Sequence, residues 1–350
     1  MTAKHQNITA LVTGANGYIA SWLVKYLLEQ GFTVHATVRD KTNQNKVSHL
    51  QRLIDEHPGK LTLFNADLFN DGDFDKSMEG CELVFHTASP FIIRGLNDPQ
   101  AELIDPALKG TRNVLESVNR TDSVKRVILT SSVVAIYGDY IDMQNTEQGI
   151  FTETHWNTTS SVNHQPYSYS KTLAEQEAIR IHDAQSRWDM VTVNPGLVLG
   201  PSLAKASDST SLSTMLELMD GTLKTGAPNL RFPLVDVRDV AIAHINAATT
   251  KKAQGRHILV AGSQSMLEMA NTIRQKYGAK YGVPRWQVPK LFVWLVGPFM
   301  GITRDFVANN VGHAIEFDNQ RAKKELSVQF RPISETVQDH AQQIIADGLV

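Results

Sequence analysis

Short apolar runs rich in β-branched residues recur along the chain at 8–13, 32–38, 60–65, 82–86, 124–130, 189–193 and 255–260. Most end in a turn of small or polar residues, and stretches of helical period follow at 21–30, 99–118 and 167–185. Runs this short, bounded by turn residues, read as buried strands, and the stretches between them read as helices that return the chain across a parallel sheet. After residue 201 the alternation loosens. Residues 202–213, rich in Ser, Thr and Ala, read as a mobile segment leading into a capping part, and 235–244 as a strand and turn entering a helix that Asp239 caps. From 261 to 350 the pattern is mostly helical, divided by Pro284, Pro289, Pro298 and Pro332, with no internal repeat.

The 350 residues, 42% hydrophobic and 20% charged, suffice for a large core. A formal net charge of −2 without basic runs argues against a nucleic-acid or anionic-membrane partner. Cys81 is the single cysteine and the N-terminal residues carry no apolar signal segment, so a cytoplasmic, reducing setting is expected. Residues 291–300 are the most apolar stretch. They are too few to span a bilayer and are broken by Gly297 and Pro298, so they are expected to form a buried helix or pocket wall rather than a membrane-surface anchor. No metal-ligand cluster is evident.

Candidate chemistry begins at the first turn, Gly14-Ala-Asn-Gly17-Tyr-Ile-Ala20. In the order strand, glycine turn, helix, glycines let backbone N–H groups approach a pyrophosphate at the helix N-terminus. Gly14, Asn16, Gly17, Tyr18 and Ile19 are the expected phosphate-binding turn, and Ala20 is small enough for helix and strand to pack closely. The second run closes at Arg39 and Asp40. An acid there suits the ribose hydroxyls of NAD, and a base suits the 2′-phosphate of NADP. Arg39, with Lys46 one or two turns into the next helix, makes a clamp for that phosphate and NADP(H) the expected cofactor. Asp40 would favour NAD if the strand ended one residue later. Asp67 and Leu68 follow the third run at the place of an adenine contact. Thr87, Ala88 and Ser89 follow the fourth and could border a cofactor lying across the sheet edge, while His86 reads as a packed, hydrogen-bonded residue. The break at Pro195, Gly196, Leu197 and Val198 is expected to expose backbone groups to a nicotinamide carboxamide.

Tyr167 and Lys171 stand four apart at the start of a helical run, so phenol and ammonium share one face. A fixed cation close by favours the phenolate, lowers its pKa and makes Tyr167 a candidate acid and base. Thr130, Ser131 and Ser132 close the fifth run, where a serine hydroxyl could polarise a carbonyl oxygen in the same crevice. Between these, residues 139–166 are polar and aperiodic and read as an active-site loop. Trp156, Phe91, Ile92, Leu203 and the apolar segment after 291 could line an apolar pocket.

Taken together, Thr13-Gly-Ala-Asn-Gly-Tyr-Ile-Ala20, Thr37-Val-Arg-Asp40, His86-Thr-Ala-Ser-Pro90, Thr130-Ser-Ser132, Tyr167-Ser-Tyr-Ser-Lys171 and Asn194-Pro-Gly196 resemble the extended short-chain dehydrogenases/reductases, within the epimerase/dehydratase superfamily. Over nearly the whole chain the likeness is to the dihydroflavonol reductase, cinnamoyl-CoA reductase and yeast-type aldehyde/ketone reductase branch. The resemblance implies an α/β Rossmann fold, a doubly wound parallel sheet with a smaller, mostly helical C-terminal substrate domain. The division expected is 1–195 with 235–260 for the NADP-binding domain and 196–234 with 261–350 for the substrate domain. It further implies NADPH as hydride donor, a Ser132, Tyr167, Lys171 triad reducing a small-molecule carbonyl, and a monomer or homodimer. A nucleotide-sugar epimerase, a 3β-hydroxysteroid-type dehydrogenase and a non-catalytic NADP sensor remain alternatives. A dehydratase would need an acidic pair where Val133 and Val134 stand.

Overall fold

The computed structural model describes residues 7–90, 97–204 and 210–350. Its strands are β1 (Thr9–Val12), β2 (Thr33–Val38), β3 (Leu61–Asn65), β4 (Leu83–His86), β5 (Arg126–Thr130), β6 (Asp189–Pro195), β7 (Leu197–Leu199), β8 (Ala227–Pro228), β9 (Arg231–Asp236), β10 (Gly255–Leu259), β11 (Gly262–Ser265) and β12 (Gln287–Val288). The first half of the chain contributes helices α1 (Tyr18–Glu29), α2 (Gln44–Glu56), α3 (Asp75–Met78), α4 (Asp105–Arg120) and α5 (Pro166–Asp183). The second half adds α6 (Thr210–Met219), α7 (Val237–Thr249), α8 (Met266–Tyr277), α9 (Lys290–Val296), α10 (Arg304–Asn310), α11 (Gln320–Glu325) and α12 (Ile333–Ala346).

Seven strands form one parallel sheet in the order β3-β2-β1-β4-β5-β6-β10. Alternation within the strands builds its two faces. Ala10 and Val12 of β1 join one core with Leu23, Val24 and Leu27 of α1 and Val240 of α7. Leu11, between them, faces the other core with Val114 and Val118 of α4 and Ile181 of α5. The strand order reverses between β1 and β4, and in such sheets the crevice beyond the carboxyl ends at that point takes the ligand. This is the Rossmann-type doubly wound arrangement that the apolar runs predicted.

Further elements hold a separate core of Leu218, Met219, Leu234, Met269, Ile273 and Val337. They include a three-stranded sheet, β11-β9-β7, so this part contains strands as well as the expected helices. Gly196 lies between β6 and β7, and a Cβ there would stand 2.3 Å from the Pro233 carbonyl oxygen. Only glycine lets β9 approach this closely. The cap of α7 is Asp236, which accepts from Arg238 N, and not Asp239. Asp239 is instead buried and accepts from the Arg331 backbone N–H at 2.7 Å and from its guanidinium. Of the expected mobile segment, residues 205–209 lie outside the described residues, Ser202 N donates to Gln343 Oε1 at 2.5 Å, and α6 begins at Thr210. The apolar stretch at 291–300 also departs from expectation, since α9 buries none of its residues.

Five of the described histidines are buried and burial lowers the pKa of each, that of His257 against the pull of Glu325. Burial pushes His49, His244 and His340 down to about 4, and burial with the nearby Lys171 charge pushes His86 down to about 3. Each folded pKa lies below the ordinary 6.5, so as pH falls from 6.5 towards 4 the unfolded chain takes up protons that the folded one refuses. Stability is therefore present above about pH 6.5 and is lost on acidification. Glu153 and Asp239, whose carboxyls burial pushes up, oppose part of this. Urea unfolding should give a clearly lower midpoint at pH 5 than at pH 7; equal midpoints would contradict neutral burial.

Candidate active site

β1 ends in a turn where Gly14 has φ +63°, a left-handed conformation. A Cβ on Gly14 would stand 3.0 Å from Ala88 Cβ, and one on Gly17 would stand 3.1 Å from Gly14 O. The turn and the exit of β4 thus share a space that side chains would fill. α1 starts at Tyr18 with no acidic residue in its first turn, which leaves its positive N-terminal end without a carboxylate of its own. Ala20 is buried and Ile19 packs against the sheet core. The Tyr18 phenol donates to Gly200 O, and Trp22 Nε1 donates to Pro201 O at 2.7 Å. Tyr18 therefore has only its backbone to offer a ligand at the turn, because its ring ties α1 to the end of β7.

Arg39 and Asp40 are exposed beyond β2, and Lys46 is exposed within the first turn of α2. The Asp40 carboxylate accepts from Thr42 Oγ1 at 2.6 Å and from Thr42 N at 2.9 Å, and these bonds hold its pKa below the usual value. With Asp40 turned back on its own loop, Arg39 is the residue that closes the strand. Asp67 is likewise engaged locally, its Oδ1 accepting from Phe69 N at 2.9 Å, and Leu68 O accepts from Asn113 Nδ2 at 2.7 Å. Thr87 N and Ala88 N both donate to Thr13 Oγ1, at 3.1 and 3.0 Å, which lashes the ends of β1 and β4 together. His86 is buried with its Nδ1 3.1 Å from Thr13 Oγ1, a packed residue as expected. Thr130 Oγ1 lies 2.7 Å from His244 Nε2.

α5 presents Tyr167 and Lys171, the Lys171 Nζ standing 5.9 Å from the phenol ring centroid and donating to Ser89 Oγ at 2.9 Å. The helix packs against the short turn 133–135 that Ser132 caps. The two serines separate clearly here. Ser131 is buried and donates to the Glu175 carboxylate, whereas Ser132 is half-buried, accepts from Val134 N at 3.3 Å and donates weakly to Pro195 O at 3.4 Å. The electrostatics differ from expectation. Burial raises the Tyr167 phenol well above its ordinary value, and burial pushes Lys171 down to about 8 against the pull of Glu175. The ammonium near Tyr167 does not overcome desolvation.

The break after β6 is partly engaged within the fold, with β7 at the edge of the small sheet. Gly196 N already donates to Leu259 O at 3.1 Å, and Leu197 and Val198 pair with Leu234 and Val235 in the small sheet. Of the groups at this break, Pro195 O faces Ser132. Trp156 stacks on the Arg256 guanidinium, 3.9 Å from its ring centroid, which makes it part of the frame. Phe91 and Ile92 lie outside the described residues.

Several residues that frame the site carried no signal in sequence. Glu175 is 1% exposed and accepts from Ser131 Oγ, from Asn194 Nδ2 at 2.9 Å and from Arg256 Nε at 2.6 Å. Gln165, just before α5, holds a left-handed φ of 52°, a conformation that costs a non-glycine residue roughly 1–2 kcal/mol. Its side chain donates to Gly138 O at 2.8 Å and to Asp139 Oδ1 at 2.6 Å. Asp139 is 3% exposed and also accepts from His164 Nε2 at 2.8 Å, Asn309 Nδ2 at 3.0 Å and Asn310 Nδ2 at 2.7 Å. The loop at 139–166 is thus pinned to α10, and one carboxylate fixes the entry into the helix bearing Tyr167. Asp139→Ala should lower folding stability by about 2–4 kcal/mol because several buried donors lose their acceptor; a urea midpoint matching the parent's would refute this role.

The fold and site together define a Rossmann-type protein with a glycine turn at β1 and a serine, tyrosine and lysine grouped around α5. The sequence model of the NAD dependent epimerase/dehydratase family matches residues 10–262, and the chain belongs to that family. It is 43% identical over 293 residues to a cinnamoyl-CoA reductase of Medicago truncatula, covering 83% of this chain and 85% of the relative. It is 40% identical over 299 residues to a putative anthocyanidin reductase of Ginkgo biloba, covering 82% and 84%. Among solved structures it resembles the yeast methylglyoxal/isovaleraldehyde reductase Gre2 complexed with NADPH, with a TM-score of 0.78, 26% identity and coverage of 98% and 100%. Gre2 of Candida albicans with NADPH gives 0.77, 26%, 97% and 99%.

Proposed function

We propose that this protein is an NADPH-dependent carbonyl reductase that converts a small or aromatic aldehyde or ketone to an alcohol. The observation that carries the reading is the grouping on α5: Tyr167 and Lys171 four residues apart, facing a turn where Glu175 holds Ser131 and leaves Ser132 for the substrate. The likeness to cinnamoyl-CoA and methylglyoxal/isovaleraldehyde reductases supports the same chemistry.

The residues present fit a dinucleotide. The space at Gly14 and Gly17 would be filled by a Cβ, the first turn of α1 has no carboxylate, and Arg39 with Lys46 suits a 2′-phosphate. Bound NADPH would supply the hydride. Ser132 Oγ donates a hydrogen bond to the carbonyl oxygen and polarises it. Tyr167, which burial keeps protonated, gives its proton to that oxygen as negative charge develops there. Lys171 stabilises the resulting phenolate while its ammonium is charged, below about pH 8. Residues 196–234 and 261–350 form the substrate side in this reading.

A positioned general acid contributes about a hundred- to ten-thousand-fold. Tyr167→Phe should therefore lose turnover by that factor while binding NADPH, followed by nicotinamide fluorescence, nearly as the parent does. Full turnover in the Phe variant would remove Tyr167 from the acid's role.

A further inference from the structure

We infer that the segment carrying Lys276 to Arg304 is a docking surface for an anionic lipid bilayer. Among the described residues, nine large hydrophobic side chains are strongly exposed, and six of them fall here: Trp286, Leu291, Phe292, Leu295, Phe299 and Met300. Single exposed hydrophobics are ordinary, whereas a cluster of this size on one short segment marks an interaction site. Phe299, at the tip of the turn after α9, is 90% exposed and Met300 is 72% exposed. Side chains this free project from the surface, a shape suited to entering a fluid apolar layer.

Charge selects the kind of layer. Between Glu268 and Asp305 the chain has no acidic residue but carries Arg274, Lys276, Lys280, Arg285, Lys290 and Arg304, a local excess hidden by the whole-chain balance of −2. All of these except Arg274 are exposed. Of these, Lys290 and Arg304 are held beside the apolar projection. Arg304 lies 4.4 Å from the Trp294 ring centroid, Lys290 Nζ donates to Ala308 O at 2.8 Å, and the Arg274 guanidinium holds Pro284 O. Asp305 beside Arg304 and Asp220 on the neighbouring end of α6 are the exposed acids at its margin. An apolar tip backed by cations is the arrangement of a helix that lies in the interface of an anionic membrane. α9 has seven residues, and no described helix is long and apolar enough to cross a membrane, so the contact is peripheral. The inference does not depend on the reductase reading.

The test is flotation of the full chain with phosphatidylcholine vesicles, with and without phosphatidylserine, at low salt. Binding to the anionic vesicles should exceed binding to the neutral ones by roughly tenfold and weaken in high salt. Tryptophan emission should shift to the blue as Trp286 and Trp294 leave water. A Phe299→Ser, Met300→Ser double variant and a Lys280→Glu, Arg285→Glu double variant should each lose this binding while keeping the parent's thermal midpoint. Three outcomes would overturn the proposal: no binding to either vesicle, equal binding to both, or a concentration-dependent dimer of the parent that the Phe299 and Met300 changes abolish, which would assign the patch to a second copy.

Discussion

The buried carboxylate of Glu175 is the constraint on which the site depends. It sits on the helix that carries Tyr167 and Lys171, and it binds the end of β5 through Ser131, the end of β6 through Asn194 and the start of β10 through Arg256. Arg256 extends the frame by donating to the carbonyls of Glu153, His155 and Ala135 and by stacking on Trp156. A buried ion pair adds little to net stability compared with apolar packing, but losing one partner leaves an uncompensated charge and costs about 3–5 kcal/mol. Its value here is geometric, because three strand ends and one helix meet at two oxygens. It also differentiates adjacent serines, drawing Ser131 inward while Ser132 remains at the crevice.

A second clamp acts on the other end of the same helix. Asp139 gathers Gln165, His164, Asn309 and Asn310, and so holds a strained residue immediately before Pro166 and Tyr167. The two carboxylates leave α5 little freedom to rotate or slide. Within that rigid setting the phenol is buried and its proton is held tightly, while the lysine beside it is brought to about 8. Desolvation, acting on both groups, disfavours both charged forms and drives the two proton affinities apart, the phenol's up and the ammonium's down.

What could be read from sequence follows the range of the interactions involved. The parallel sheet, the glycine turn and the pairing of Tyr167 with Lys171 are set by local period and spacing, and they stand in the structure where the apolar runs put them. Glu175, Asp139 and Gln165 take their roles from partners as far as 171 positions away, and no local pattern marks them. The same limit explains Gly196, whose N–H is taken by Leu259 and whose missing Cβ makes room for Pro233. The run at 291–300 has the composition of a core helix, and only its place in the fold, packed on one side against α10, leaves most of it exposed.

The proposed chemistry is reduction of a carbonyl with NADPH by a shielded tyrosine and an open serine. It is tested most directly by following NADPH oxidation at the nicotinamide absorbance with aromatic aldehydes, α-ketoesters and diketones, with NADH in parallel. Turnover of at least one carbonyl class, with NADPH strongly preferred over NADH, is the expected result. Tight NADPH binding without turnover of any of them would contradict the account.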